Sequence, residues 1–232
     1  MQDLLAFGIK PIAVDVTQDE SVVTCVNRLL AEEGRLDILV NSAGYGSYGA
    51  LEDVPLSSAR EQLEVNVFGA IRLTQLVLPA MRQNRYGKIV NVSSVGGKIA
   101  FPMGGWYHAS KFALEGLSDT LRNEVRGFGI DVMVIEPGAT KSEWGRIALD
   151  SLAKISGHTA YQDLAAKMGR VFSQNADKNP EPLVIAKLIK QAIEARKPKT
   201  RYSGGSMASS LLLLRKVLPD KLLDRFIMSQ LK

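Results

Sequence analysis

Ser94 to Lys111 reads S-V-G-G-K-I-A-F-P-M-G-G-W-Y-H-A-S-K, which sets Tyr107 and Lys111 four residues apart. In a helix that spacing stacks two side chains on one face. A lysine ammonium beside a phenol favours the phenolate, so the pair predicts a tyrosine pKa below its ordinary value of about 10. A phenol shifted that way exchanges a proton near neutral pH, as general acid–base catalysis requires. Ser94, thirteen residues before Tyr107 at the end of a strand pattern, offers a hydroxyl that can hold a carbonyl or alcohol oxygen. Bare, Tyr-x-x-x-Lys is a common spacing, and its plain alternative is a half-buried Tyr beside a solvated Lys. The surrounding chain decides between the two.

Working outward, the chain alternates strand and helix patterns. Residues 1–10 read as the tail of a helix and a loop stopped at Gly8. Pro11 to Val16 reads as a short apolar strand, and Thr17 with Glu20 as a capping box for a helix that Gly34 ends. Leu36 to Val40 is a nearly continuous apolar strand, as in a parallel sheet covered on both faces. A glycine-rich loop follows over Asn41 to Gly49, and Ser58 with Glu61 forms a second capping box for a helix reaching about Gln83. Lys88 to Val92 and Ile130 to Ile135 are strands flanking a helix over Tyr107 to Arg126, and Pro137-Gly138 stops the second of them. The alternation predicts one α/β domain with a doubly wound, mostly parallel sheet. From Thr140 to about Asn179 the rhythm fails, and helical runs fall near 141–152 and 158–175, a candidate substrate-loop region. Pro180 and Pro182 open a helix to about Ala195, and Thr200 to Ser203 is a last strand. The tail, residues 206–232, is leucine-rich and broken at Pro219, a membrane-surface foot, a lid, or terminal helices packed on their own domain.

Composition bounds the reading. At 232 residues, with 46% hydrophobic and 23% charged residues, the chain suits one globular domain with a large core. A net charge of +5 is mildly basic and is read as a solvated surface with cations near a phosphate-bearing ligand, not as nucleic-acid binding. The single Cys25 leaves no internal disulfide, which fits a reducing, cytoplasmic setting. The N-terminus shows no basic region followed by an apolar core, and no apolar run of about 18 residues predicts a spanning helix. The two histidines, His108 and His158, have no metal spacing and read as surface residues, so no metal is expected.

Together, V-N-V-S-S-x-x-G before Tyr107 and the Y-H-A-S-K block resemble the active-site segment of the short-chain dehydrogenase/reductase family. Leu39 to Gly44, Val65 to Gly69 and Glu136 to Thr140 resemble three further family blocks in the same order. The basic, leucine-rich tail is similar in flavour to members such as retinol and 17β-hydroxysteroid dehydrogenases. The resemblance implies a Rossmann-like fold and hydride exchange between NAD or NADP and a small apolar alcohol or carbonyl compound. It implies that Tyr107 is the acid–base, Lys111 its electrostatic partner on the nicotinamide ribose, and Ser94 the holder of the substrate oxygen. It also implies that Asn66, through its backbone or side chain, binds a water that continues a proton relay to Lys111. On the cofactor it places Asp15 and Val16 at the adenine, Asn41, Ala43 and Gly44 at the adenosine ribose, and Pro137, Gly138 and Thr140 at the carboxamide. Phe101, Met103, Trp106 and Trp144 are candidates for an apolar pocket or for packing, and a homodimer or homotetramer through the two long helices is implied. Ser42 departs from the family's second Asn.

The family's T-G-x-x-x-G-x-G phosphate turn is absent from the sequence. The resemblance therefore predicts a fold lacking its first βαβ portion, with that portion and its turn falling before Met1. A start placed too late explains this better than a remnant, because every later block is intact. The alternative is a catalytically silent binding protein.

Overall fold

The computed structural model describes residues 2–174 and 176–231. Its elements are α1 (Gln2–Leu5), α2 (Asp19–Glu33), β1 (Ile38–Asn41), α3 (Leu56–Leu63), α4 (Ala70–Gln83), β2 (Gly87–Val92), α5 (Gly105–Val125) and β3 (Ile130–Pro137). They continue as α6 (Glu143–Ser156), α7 (Gln162–Gln174), α8 (Leu183–Glu194), β4 (Arg201–Gly204), α9 (Ala208–Val217) and α10 (Asp220–Ser229). The four strands form one parallel sheet in the order β1-β2-β3-β4. The α/β architecture and parallel sheet agree with the sequence reading.

Alternation along the strands sorts the core into two faces. Ile89 and Val132 join Val26, Val77, Met81 and Val125 beneath α2, α4 and α5. Val90, Met133 and Ile135 point the other way and pack with Ala192 and Tyr202 beneath α8. Strands buried on both sides need continuous apolar runs, and β2 and β3 have them. Buried Lys88 does not interrupt this layer, because its ammonium donates to the Ile193 and Ala195 carbonyls at the end of α8, at 2.5 and 2.8 Å. A cation is favoured at a helix C-terminus.

β1 is the exception. Among the described residues it pairs only with β2, and Ile38 and Val40 are 40% and 38% exposed. They share a face with Val90, beyond the cover of α8.

The structure corrects several sequence expectations. Pro11 to Val16 forms no strand, because nothing among the described residues pairs with it. Neither capping box forms: Gln18 and Pro55 precede α2 and α3 without a side-chain cap. Thr17 instead donates its hydroxyl to Asp15 at 2.7 Å, a local turn that outcompetes the cap. The long helix read over residues 58–83 is interrupted by one π-helical turn, Glu64–Gly69, a feature that often marks functional positions. Here the turn brings Gly69 against Val16, whose carbonyl oxygen would stand 2.8 Å from a Cβ. Gly34 ends α2 as expected, in the left-handed conformation with φ 73° and its N–H on Leu30.

Beyond β3 the chain builds a cap and a brace. α6 and α7 pack on each other and close over the start of α5. α9 and α10 pack on the turn after β2 through Leu211, Leu214, Leu223 and Ile227 around Ile99. No helix among the described residues is long and apolar enough to cross a membrane.

Candidate active site

Four segments meet at the carboxyl ends of β1, β2 and β3, where open α/β sheets take their ligands. They are the loop after β1, the turn after β2, the first turns of α5 and the corner after β3. The turn after β2 is a short 3-10 helix (Val95–Gly97) whose N-cap is Ser94. The Ser94 hydroxyl accepts from Gly96 N–H at 3.0 Å and donates weakly to the Pro137 carbonyl at 3.4 Å. It is therefore held between the turn and the corner.

α5 starts at Gly105, behind a Met103 in the left-handed region (φ 66°). That conformation costs a non-glycine residue about 1–2 kcal/mol. The Met103 carbonyl accepts from Gly49 N–H at 2.7 Å, which joins the loop after β1 to the helix start. Tyr107 then lies 6% exposed at the centre of a cluster. Its ring centroid is 5.1 Å from Trp144 and 5.8 Å from Tyr48, and Phe172 stands edge-on to both of those rings. Trp144 comes from α6 and Phe172 from α7, so the cap is the aromatic cover of Tyr107.

Lys111 Nζ donates to the Val92 carbonyl at 2.9 Å and sits 6.0 Å from the Tyr107 ring centroid. Tyr107 and Lys111 share a helix face, as their spacing predicts. The expected lowering of the tyrosine pKa does not occur. Burial pushes Tyr107 up to about 12, opposed by a hydrogen bond with Ser94. Burial also pushes Lys111 down to about 8, opposed by the charge of Glu115. With its ammonium directed at a carbonyl, the lysine does not offset the cost of burying a phenolate.

Asn66 lies in the π turn. Its Oδ1 accepts from Tyr45 N–H at 3.1 Å, and its Nδ2 donates to the Tyr45 carbonyl and to Ser110 Oγ, both at 3.0 Å. Ser110 donates to the Tyr107 carbonyl at 2.7 Å. The Asn66 side chain thus ties the loop after β1 to the first turn of α5. A Cβ on Gly44 would stand 3.1 Å from Asn66 Oδ1 and 3.5 Å from Lys111 Nζ, so bare backbone runs past the lysine there. Asn41 Nδ2 donates to Asn91 and Thr74 at 2.8 and 3.2 Å, while its buried Oδ1 has no partner among the described residues.

The other expected positions divide. Pro137 meets Ser94, as above. Gly138 is a packing glycine, since a Cβ would stand 2.1 Å from the Ser206 carbonyl oxygen. Ala43 is exposed, and Thr140 makes no hydrogen bond among the described residues. Asp15 and Val16 lie apart from the Tyr107 cluster: Asp15 serves its own turn, and Val16 packs on Gly69. Among the pocket candidates, Trp144 and Met103 join the Tyr107 cluster and Phe101 packs with the C-terminal helices. Trp106 Nε1 is buried without a hydrogen-bond partner among the described residues.

His108 overturns its expectation. It is buried, not on the surface. Its Nδ1–H donates to the Gly96 carbonyl at 3.0 Å, and burial holds its pKa down to about 4. Exposed His158 is as expected. Ser93 reads in the sequence as a strand-end hydrogen bonder, and its N–H does donate to the Ile135 carbonyl at 2.8 Å, while its hydroxyl has no partner among the described residues. The sequence reading passed over Ser110 and Tyr48. Ser110 carried a usable signal, standing three residues after Tyr107 on the same helical face; Tyr48 carried none.

The cap is latched to the loop after β1. Ser151 Oγ accepts from Tyr48 N–H at 3.0 Å, and Ser156 Oγ accepts from Ala50 N–H at 2.9 Å. Ser156 and Thr159 both donate to Asp53, at 2.6 and 2.7 Å, and hold its carboxyl below its ordinary range.

The short chain dehydrogenase family profile matches residues 2–149. A probable short-chain type dehydrogenase/reductase of Helicobacter pylori is 34% identical over 213 residues, spanning 92% of this chain and 78% of its own. The NADPH-dependent 3-dehydrocapnine reductase of Ornithobacterium rhinotracheale is 34% identical over 95% of this chain and 77% of its own. A crystallised short-chain dehydrogenase from Streptomyces avermitilis superposes with TM-score 0.73 at 35% identity, over 87% of this chain and 72% of its own.

Proposed function

The chain belongs to the short-chain dehydrogenase family, and from that premise we propose that it is an NAD(P)-dependent oxidoreductase interconverting an apolar alcohol and its ketone or aldehyde at Tyr107. The observation that carries the reading is one helical face holding Tyr107 and Lys111, with Ser94 fixed at the start of the turn after β2 close enough to the phenol to favour its ionised form. The NADPH dependence of the Ornithobacterium relative supports the choice of cofactor class.

The residues present fit the nicotinamide end of such a cofactor. The bare backbone at Gly44 passes Lys111 and Asn66, and the orphaned Asn41 Oδ1 is an acceptor in need of a donor. Lys111, Asn41 and Gly44 would hold the riboses, and Pro137 the carboxamide side. The sequence offers no glycine-rich phosphate turn. When bound, the nicotinamide supplies or accepts the hydride.

The chain supplies the proton and the setting. A phenol raised to about 12 is neutral at physiological pH, so Tyr107 stands ready to donate its proton to a carbonyl oxygen. Ser94 Oγ is the second donor to that oxygen, and preorganised donors stabilise the charge that develops there. Ser110 and Asn66 fix the turn that carries Tyr107, and the Asn66 backbone remains for the relay toward Lys111. Trp144, Phe172 and Tyr48 exclude water and favour an apolar substrate. Phe112 and Leu117, exposed on α5, support pairing of two copies along that helix.

The test is calorimetric binding of NADH and NADPH together with nicotinamide-absorbance turnover on a panel of apolar alcohols and ketones. Binding with turnover, abolished in Tyr107→Phe, supports the reading. A folded chain that binds neither cofactor refutes it.

A further inference from the structure

Behind the Tyr107 site lies a buried charge cluster that the proposed chemistry leaves unused. Glu115 stands one turn after Lys111 on the same face of α5 and is 3% exposed. Its Oε2 receives Lys98 Nζ and Arg201 Nη2, each at 2.8 Å. Arg201 also bonds Asp119 at 2.8 Å and approaches Glu136 at 3.3 Å. Asp119 is further paired with Arg122 at 2.5 Å. Around Glu115, then, stand Lys111, Asp119 and Arg122 from α5, Lys98 from the turn after β2, Glu136 from β3 and Arg201 from β4.

Each partner sits beside a piece of the site. Lys98 closes the turn that Ser94 opens. Glu136 immediately precedes Pro137 and Gly138. Glu115 itself packs under Gly97, where a Cβ would stand 3.0 Å from its Cγ and 3.1 Å from the Lys111 carbonyl oxygen. Buried charge is costly unless paired and hydrogen-bonded, and this cluster is incompletely satisfied. Glu115 Oε1 and Glu136 Oε1 receive no well-aligned donor among the described residues, and the charge of Glu115 opposes ionisation of Glu136. A clamp of four elements closed on one buried carboxylate is more than packing requires.

We propose that Glu115 is a positioning residue of the Tyr107–Lys111 site, its carboxylate pinned by Lys98 and Arg201 so that it holds Lys111 in its charged form and locks the Ser94 turn, the Tyr107 helix and the Pro137 corner together. The inference rests on the oxidoreductase reading but acts on Lys111 whether or not turnover occurs. Its effect on Lys111 is electrostatic: an anion one turn away opposes the loss of the lysine proton that burial promotes.

The experiment follows Lys111 directly, by the pH titration of its 13Cε resonance, assigned with Lys111→Met. In Glu115→Gln, of nearly the same shape, Lys111 should titrate about one pH unit lower, and the alkaline limb of kcat/KM should move down with it. Asp119→Asn, which also releases a bond to Arg201, is the structural control and should leave that titration in place. If Glu115→Gln does not fold, Lys98→Met serves: it unpairs the Glu115 carboxylate, whose charge should then move Lys111 upward. An unmoved Lys111 in either folded variant, or an equal movement in Asp119→Asn, overturns the proposal. A moved Lys111 in a chain that neither binds nicotinamide cofactor nor turns over leaves this inference standing and sinks the functional one.

Discussion

The carboxyl end of β2 and the outer edge of β1 are made of similar apolar strand residues and end in opposite conditions. At the first, Tyr107 is enclosed by an aromatic cap whose Ser151, Ser156 and Thr159 hydrogen-bond the loop after β1. At the second, Ile38 and Val40 face solvent and one row of backbone groups is unpaired among the described residues. The contrast separates two requirements. Placing an acid–base group needs a helix start, a turn and a cap, all local to one end of the sheet. Covering a strand needs neighbours on both sides, which no residue in β1 can supply by itself.

The largest test of that contrast is kinetic. Tyr107→Phe removes one hydroxyl from the enclosed end and should lower turnover by about 10³-fold, within the range for a positioned proton donor, with an unchanged melting profile. Ile38→Lys with Val40→Lys places two charges on the open edge. It should leave turnover per site unaltered and reduce self-association in sedimentation velocity, as charged edges do. Turnover that follows the edge substitutions and ignores Tyr107 would reverse the assignment of the two regions.

Next in size is packing. Ile89 is fully buried between β2 and α4, whereas Ile38 is not. Ile89→Ala should cost about 2–5 kcal/mol by chemical denaturation, and Ile38→Ala well under that. Equal losses would mean that the β1 edge is covered in solution, for instance by a second copy. A smaller effect is expected at the cap. A Cβ on Gly46 would meet the Trp144 ring at 2.6 Å, so Gly46→Ala should destabilise by about 1–3 kcal/mol. It should also lift Trp144 from Tyr107, read as a shift in tryptophan emission and a raised KM.

Much of this was legible in the sequence, for physical reasons that also mark where legibility stopped. β2 and β3 show as apolar runs because both of their faces are buried, and Gly34 and Pro137 punctuate because backbone geometry leaves few alternatives. The Tyr107–Lys111 face followed from helical spacing alone. Electrostatics did not follow: the phenol is raised, not lowered, because it is buried while the lysine ammonium turns to Val92, and only three dimensions show that. Pro11 to Val16 has strand composition but no partner to hydrogen-bond, and composition cannot count partners. Residues near 17 and 58 carry capping-box letters, yet Thr17 spends its hydroxyl on Asp15. His108 reads like any polar residue between Tyr107 and Ala109, and its burial comes from Gly96 and Phe101, remote in pattern though near in space.

The finest test concerns pH, where two buried groups near the site pull stability in opposite directions. Burial, then the charge of Glu115, pushes Glu136 from 4.5 up to about 7, against Arg201 and Lys98. Between about pH 4.5 and 7 the folded chain keeps a proton on Glu136 that the unfolded chain has lost, so this group's contribution falls as pH rises through that window. Lys111 moves from 10.5 down to about 8. Between about pH 8 and 10.5 the unfolded chain keeps a proton that the folded chain has lost, so its contribution rises with pH. Relative to the unsubstituted chain, Glu136→Gln should lose part of the decline in melting temperature from pH 4.5 to 7 and change little above it. Lys111→Met should lose part of the rise from pH 8 to 10.5 and change little below it. Parallel curves in both windows would mean that these groups titrate alike folded and unfolded. The enclosed end would then differ from the open edge in packing alone and not in charge.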